Sequence, residues 1–402
     1  MSSIPAVHES ADAANIRFTP APDLSRTLVR VAAASGILTL IGIFFAPDRT
    51  WPNILVATLM AVVLALGCQL FLAFRGVTSA GWSTVLKRVP EAAVRMLPFI
   101  APVLLLVLVG GMGVLFEWSH ADVVAADPIL ASKTAWLNVP FFLTRAVLIF
   151  GIWIAFGFAM LRISRRQDSS PGPAGNRRNA AVSAAFLIAF AITFSIASFD
   201  WIMSLEPHWF STIFAVYHFT GAFLGALALI TITVIGLRRR GYFAAIVNDD
   251  HLIDLGKLMM GFSAFWAYIW FSQYMLIWYS NLPEEVGYYV HRHAGAWAVL
   301  AGLNVLINWV VPFFVLLPRA AKRSESVMLK AAGLLLVGRW LDLYLGVNPV
   351  FQPQAPKLGL WELAPLAFGV SLFLIAYRHS LASVELLPKG DAFFEESIHH
   401  HQ

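Results

Sequence analysis

Five ionisable residues lie within, or at the end of, long apolar stretches of the sequence: Arg145, Asp200, His218, Arg339 and Asp342. An ionisable group in hydrocarbon costs several kcal/mol unless it is paired or hydrated, so each one marks either a pairing or a place where protons or ions are handled. Arg339 and Asp342 stand three residues apart on one helical face, the spacing of an ion pair, which is a plainer reading than catalysis. Arg145 could pair with Asp200 or anchor a substrate. Asp200 could equally cap a helix at an interface. His218 suits a proton relay because imidazole titrates near neutral pH, although a histidine hydrogen-bonded within a bundle needs no further role.

Two segments carry more information than any single residue. The first is Asp200-Trp-Ile-Met-Ser-Leu-Glu-Pro-His-Trp-Phe-Ser-Thr-Ile-Phe, which adds Glu206 and His208 to Asp200 and runs directly into an apolar stretch. Its polar groups suit a connection that packs back onto protein or water, since lipid offers them no partners. The second runs from Gly261 to Glu285 and is dense in Trp, Tyr and Phe. With Tyr268 and Gln273 among its polar groups, it could line a quinone pocket, which needs apolar walls and one or two hydrogen-bonding groups for the head. Ring packing between helices is the plainer account of the stripe as a whole.

Other chemistries lack their residues. Cys68 is the only cysteine, so an internal disulfide, an iron–sulfur cluster or a Cys-rich zinc site is not expected. His218 is the only histidine well inside an apolar stretch, whereas haem in a membrane bundle takes histidines from facing helices. No Gly-rich phosphate loop, nucleophile elbow or His-Glu-x-x-His motif occurs. The expectation is a chain with no catalytic residue and no metal or haem of its own.

The elements that position these residues follow from composition. Of 402 residues, 59% are hydrophobic and only 13% are charged, with a mean hydropathy of +0.72. Soluble domains carry about 25% charged residues, so an ordinary soluble enzyme is excluded. A membrane helix needs roughly 20 apolar residues, and ten runs qualify: 28–45, 52–74, 92–115, 140–161, 180–199, 212–237, 255–279, 294–317, 329–345 and 361–377. Tryptophans 118, 201, 209, 278 and 361 stand near run ends, as an interfacial belt requires.

If the runs alternate across a bilayer, all but six of the 28 lysines and arginines fall on the side of the amino terminus. Arg49, Lys133, Arg292 and Lys357 fall on the other side, and Arg145 and Arg339 lie inside runs. The positive-inside rule then places both termini in the cytoplasm and favours an even number of spans. The net charge of +5 is thus a topology signal or a contact to membrane lipid, and no nucleic-acid partner is expected. The first 25 residues lack the apolar core of a signal peptide. The domain reading is a cytoplasmic segment 1–27, a ten-helix membrane domain 28–378 and a cytoplasmic tail 379–402.

Asp200 to Phe214 and Gly261 to Glu285, together with Arg292-His-Ala-Gly-Ala-Trp and the run ending in Pro318-Arg-Ala, closely resemble the NrfD-like, or polysulfide-reductase-type, membrane subunits. Within that family the resemblance is to the membrane subunits of bacterial alternative complex III. It covers essentially the whole chain, and Ser-Leu-Glu-Pro-His-Trp-Phe-Ser-Thr is its most specific part. The resemblance implies ten spans arranged as two four-helix bundles with two peripheral helices. It implies a place in a quinol:cytochrome c (or electron acceptor protein) oxidoreductase of the bacterial inner membrane. The partners would be a sister NrfD-like subunit, ActC, an iron–sulfur subunit and multihaem cytochrome c subunits, which hold the haem and iron–sulfur clusters. The quinol would be menaquinol or ubiquinol, and ActC, which lies against the iron–sulfur subunit, is the better-supported site of its oxidation.

On that reading Asp200, Glu206, His208 and His218 accept or relay protons toward the periplasm, and Arg145 with Arg339 and Asp342 holds the polar group in place. Two rivals stand beside it. A free-standing transporter or proton-conducting module would show broken helices and polar groups at the bilayer midplane, for which the sequence offers Asn304 and Asn308. A structural scaffold for the sister subunit would need none of these residues to react.

Overall fold

In hydrocarbon every backbone N–H and C=O must find its partner within the chain, which leaves helices or a closed barrel. The computed structural model describes residues 16–401 except Ala245, so part of the amino-terminal segment, 1–15, lies outside the described residues. Among those described there are no strands, and one isolated antiparallel bridge joins Arg17 to Glu385.

Among the described residues ten helical segments traverse the fold: α1 (Pro22–Phe45), α2 (Pro47–Thr78), α3 (Arg88–Gly110), α4 (Val139–Ser169), α5 (Pro173–Trp201), α6 (Phe214–Arg239), α7 (Asp249–Ser280), α8 (Gly295–Leu316), α9 (Glu325–Phe351) and α10 (Leu360–Ala382). Nine of them are long and apolar enough to cross a membrane. The exception is α9, whose 27 residues span about 40 Å but whose apolarity is diluted by Arg339, Asp342 and Asn348. The chain is an all-α, polytopic membrane protein.

Local sequence sets the ends. Helices α1, α2 and α5 begin with proline, which lacks only an N–H that the first turn leaves unpaired anyway. Asn138 caps α4 by accepting from Phe141 N–H at 3.0 Å, and Asn248 caps α7 by accepting from Asp250 and His251 N–H. Ser79 and Asn281 close α2 and α7 at φ 51° and 47°, the left-handed conformation that ends many helices.

Packing resolves the ten into two four-helix bundles. One contains α2, α3, α4 and α5, the other α6, α7, α8 and α9; α2 and α6 pack along each other and join the two. Peripheral α1 lies on α10, which in turn packs on α2. This is the arrangement that the family resemblance implies. The central position of α2 and α6 shows in their burial, 83% for each apolar window against 28% for α1. The apolar side chains left exposed, such as Phe44, Phe99, Phe158 and Ile188, face outward where lipid would lie.

Close approach of α2 and α6 depends on small residues, as is common between membrane helices. A Cβ on Gly67 would collide with the Ala222 carbonyl oxygen and lie 2.6 Å from the Ala226 Cβ. Gly67→Ala is therefore expected to cost about 1–3 kcal/mol of stability, read as a lower thermal midpoint of the detergent-solubilised protein. Gly236→Ala, on the same α6 but facing open space, should not lower it. Equal midpoints for the two variants would show that the helix approach is not required.

The two ends of the described chain meet on one face, where Leu386 N–H donates to the Ile16 carbonyl at 2.9 Å. That face carries the basic connections. Residues 383–401, expected as a tail, fold across it as a cap: Leu386 and Leu387 are buried, and the short helix Phe394–Ile398 lies on the 3₁₀ turn Gly81–Leu86. Ser397 donates to the Trp82 carbonyl at 2.6 Å and accepts from Val85 N–H at 3.1 Å. The ring of His400 meets Asp254 at 2.8 Å.

Candidate functional site

The second bundle encloses a connected polar group. One turn of α9 separates Arg339 from Asp342, and Arg339 Nη1 donates to Asp342 Oδ2 at 2.5 Å, so the i, i+3 spacing does form a pair. Its guanidinium occupies the space beside Gly221 of α6, where any Cβ would collide with it. The Tyr217 hydroxyl donates to Asp342 Oδ1, and Asn304 Nδ2 donates to the same oxygen at 3.0 Å. Asn308 Nδ2 extends the chain to Asn304 Oδ1 at 2.7 Å. All of these side chains are buried.

His218 joins the group through Arg339, whose Nη2 lies 3.2 Å from His218 Nδ1. A guanidinium can only donate, so Nδ1 accepts and the ring proton belongs on Nε2. That nitrogen is buried and has no hydrogen-bond partner among the described residues. His218 thus holds Arg339 from one side while Asp342 holds it from the other.

Helix α8 is not regular where it meets this group. Leu306–Val310 form a π turn, whose wider ring frees a backbone group. Ser263 of α7 donates to the Asn308 carbonyl at 2.6 Å there. The irregular turn is therefore satisfied by protein, as it must be at membrane depth.

Toward the opposite face the short helix Pro283–Arg292 folds back over the bundle. Its Glu284 and Glu285 start it and His291 and Arg292 end it, charges that suit the helix dipole. Arg292 is buried and donates to the carbonyls of Leu345 (3.0 Å), Gly346 (3.2 Å) and Tyr288 (3.1 Å), and to Glu206 at 2.5 Å. The Tyr288 ring lies 3.5 Å from the Arg292 guanidinium and stacks on Trp209 at 3.9 Å. Burial pushes the Tyr288 phenol up to about 12 against the Arg292 charge, so it stays protonated.

Between these two layers is a cavity of about 40 Å³, lined by Asp342, Tyr217, Asn304, Gln273, Arg292 and His293 among others. A water needs about 10–15 Å³ by this measure, so about three waters fit and a quinone ring does not. His293 lies on the outward side of the cavity, stacked with Tyr289. Burial, aided by the Arg292 charge, holds its imidazole below the ordinary histidine value.

The remaining expected residues fall elsewhere. Arg145 and Asp200 form a bidentate pair in the first bundle, Nε to Oδ2 at 2.6 Å and Nη2 to Oδ1 at 3.0 Å. Trp136 Nε1 also donates to Asp200 Oδ1 at 3.0 Å, and the Arg145 guanidinium lies over the rings of Trp136 and Phe141. A cavity of about 370 Å³ adjoins this pair, lined by Lys133, Trp136, Asp200, Ser204 and Phe210 among others. Arg145 sits on α4 of the first bundle and Arg339 and Asp342 on α9 of the second, so the three do not form one group. His208 meets Asp127 at 2.6 Å on the surface, and that hydrogen bond holds the Asp127 carboxyl below its usual range.

Tyr268 and Gln273 do not converge. Five residues of α-helix turn about 140° beyond a full circle, so while Gln273 is buried and donates to Ser211 at 2.9 Å, Tyr268 is 64% exposed on the outward side of α7. Much of the aromatic stripe is packing, with Trp266, Trp270 and Tyr274 stacked one helical turn apart. Tyr217 and Tyr288 are absent from the sequence-based candidates, and Arg292 and His293 enter only as a loop charge and as part of the segment Arg292-His-Ala-Gly-Ala-Trp. Arg292 stood in a connection and read as a loop charge; its amphipathic helix, opened by Pro283 and two acids, was the available signal. The chain matches no known protein-family model, and no curated protein matches it either.

Proposed function

We propose that the chain is an NrfD-like membrane subunit of a respiratory quinol:cytochrome c (or other electron acceptor) oxidoreductase, the ActF type of alternative complex III, in a bacterial inner membrane with its basic face cytoplasmic. Its own part in this reading is to move protons between Asp342 and the outer face. The observation that carries the proposal is the buried ion pair facing a small cavity beneath Arg292 and His293. The two sequence segments that resemble the family, and the two-bundle architecture, support the assignment to it.

Quinol oxidation yields two protons and two electrons per quinol, and this division of labour assigns the electrons to haem and iron–sulfur centres of partner chains. Small-molecule pockets usually run from about 300 Å³ upward, so the cavity at Asp342 does not fit a quinol head. The cavity beside Asp200 has the volume, but Arg145 and Trp136 already take both carboxylate oxygens there. The site fits water and protons, and quinol chemistry falls to the sister subunit ActC.

A proton-conducting module working alone is the second reading, favoured by the π turn of α8, which contains Asn308, and by Asn304 one turn before it. Purification separates the two. The tagged full-length chain, extracted from native membranes in a mild detergent, is expected to bring with it haem absorbance, iron–sulfur clusters and a sister membrane subunit. Recovery of the chain alone and colourless would sink the complex-bound reading.

A further inference from the structure

On the basic face, four arginines gather, none of them ion-paired among the described residues. Arg162, Arg165 and Arg166 stand on one side of the last turns of α4, and Arg95 faces them from α3, whose helix is interrupted at Arg95 and Met96; together with Phe158, Leu161 and Ser169 they line a cavity of about 300 Å³. Among the described residues no carboxylate lies within ion-pair distance of any of the four. Glu91, whose charge reaches Arg95, and Asp168 both bind Arg88. Arg95 donates through Nη1 to Ser383 Oγ at 3.0 Å, yet its Nε and Nη2 are buried and have no hydrogen-bond partner among the described residues.

The arrangement favours an anion, although Arg162, Arg165 and Arg166 are exposed and only Arg95 has buried nitrogens without acceptors. Guanidinium nitrogens buried without acceptors leave a full desolvation penalty, and four like charges around one cavity repel. The position of the cavity specifies the kind of anion. From Phe158 to Arg166 the helix rises about 12 Å, going from an exposed phenylalanine on the lipid-facing surface to exposed arginines beyond it. A ligand seated there meets apolar wall at one end and guanidinium at the other.

We propose that this cavity binds the phosphate head of an anionic membrane phospholipid, with an acyl chain lying along Phe158 and Leu161. Guanidinium is the side chain best shaped for phosphate oxygens, and the buried Arg95 nitrogens gain the acceptors they lack. The inference is independent of the function proposed above, because it requires only that the chain lie in a bilayer.

Native mass spectrometry of the full-length protein, with whatever chains accompany it, tests this with three probes: phosphatidylglycerol, phosphatidylcholine and inorganic phosphate. Phosphatidylglycerol is expected to bind in preference to phosphatidylcholine. Arg165→Gln with Arg166→Gln, on exposed side chains without protein partners, should weaken it roughly 30-fold at about 1 kcal/mol per arginine. Arg177→Gln with Arg178→Gln, just inside α5, should leave it unchanged. Equal binding of the two lipids, or displacement of phosphatidylglycerol by millimolar phosphate, would overturn the lipid assignment. So would loss of a co-purifying chain in the Arg165/Arg166 variant with lipid retention unchanged, which would give the cluster to a protein partner.

Discussion

Asp391→Asn is expected to release the carboxyl-terminal cap from the basic face and to lower stability by about 3–5 kcal/mol, the usual result of removing one partner from a buried ion pair. The side chain of Asp391 is 1% exposed. Its Oδ2 accepts from Arg75 Nη2 at 2.8 Å and Lys87 Nζ at 2.7 Å, while Oδ1 accepts from Asn176 at 2.9 Å and from Phe393 N–H at 3.2 Å. One carboxylate thus neutralises two buried cations and ties the cap to α2, to the turn before α3 and to the start of α5. An amide in its place keeps the shape but removes the one carboxylate hydrogen-bonded to both Arg75 and Lys87. The checks are a thermal melt in detergent and protease nicking around Lys389. An unchanged midpoint with a protected cap would show that the apolar contacts of Leu386 and Leu387 suffice.

The same group predicts a pH dependence. Burial alone would raise the Asp391 carboxyl, but the charges of Arg75 and Lys87, with hydrogen bonds from Lys87 and Asn176, outweigh it and hold the carboxyl well below the usual carboxylate range. A depressed acid contributes its full stability above its unfolded value, near 3.9, and loses it only as pH falls through the lower folded value. The cap should therefore stay protease-resistant at pH 5 and loosen only in stronger acid, whereas the Asp391→Asn variant should be nicked at both pH 5 and pH 7.

The fold was largely legible because hydropathy reports what lipid contact demands. The ten runs correspond to ten helices, including α9, whose run was recognisable despite Arg339 and Asp342. The ends differ where helices leave the lipid: α4 continues to Ser169 rather than 161, and α7 begins at Asp249 rather than 255. Those extra turns are polar and so invisible to an apolar scan. Equally invisible is the π turn in α8, since Leu306–Val310 is as apolar as its neighbours. Residues on one helix could be paired by spacing, as Arg339 and Asp342 were. Residues on different helices could not, because the rotation of each helix in its bundle is a tertiary property. That is why Arg145–Asp200 stood among open alternatives, and why the division of the polar residues between two bundles had to come from structure.

Asp342 and Arg339 offer the sharpest test of whether the central group is structural or moves protons. Asp342→Asn leaves the Arg339 guanidinium in the bundle interior with His218 as its remaining side-chain partner, an uncompensated buried charge costing about 3–5 kcal/mol. Loss of activity in that variant would therefore say little about chemistry. The double variant Arg339→Met with Asp342→Leu removes both charges at similar volume, and such replacements are often neutral or stabilising. It is expected to restore the thermal midpoint to within about 1 kcal/mol of the parent protein. In proteoliposomes supplied with quinol and an electron acceptor, the restored protein should still carry electrons through its partners, because none pass through Asp342 in the proposed scheme. What it should lose is proton movement through this chain, seen as a fall in protons transferred per electron. If stability, turnover and proton yield all return together, the pair is only a structural ion pair and proton handling must be sought elsewhere. If stability and turnover return while the proton yield stays low, Asp342 carries the proton, and the small wet cavity beneath His293 is its route to the outer face.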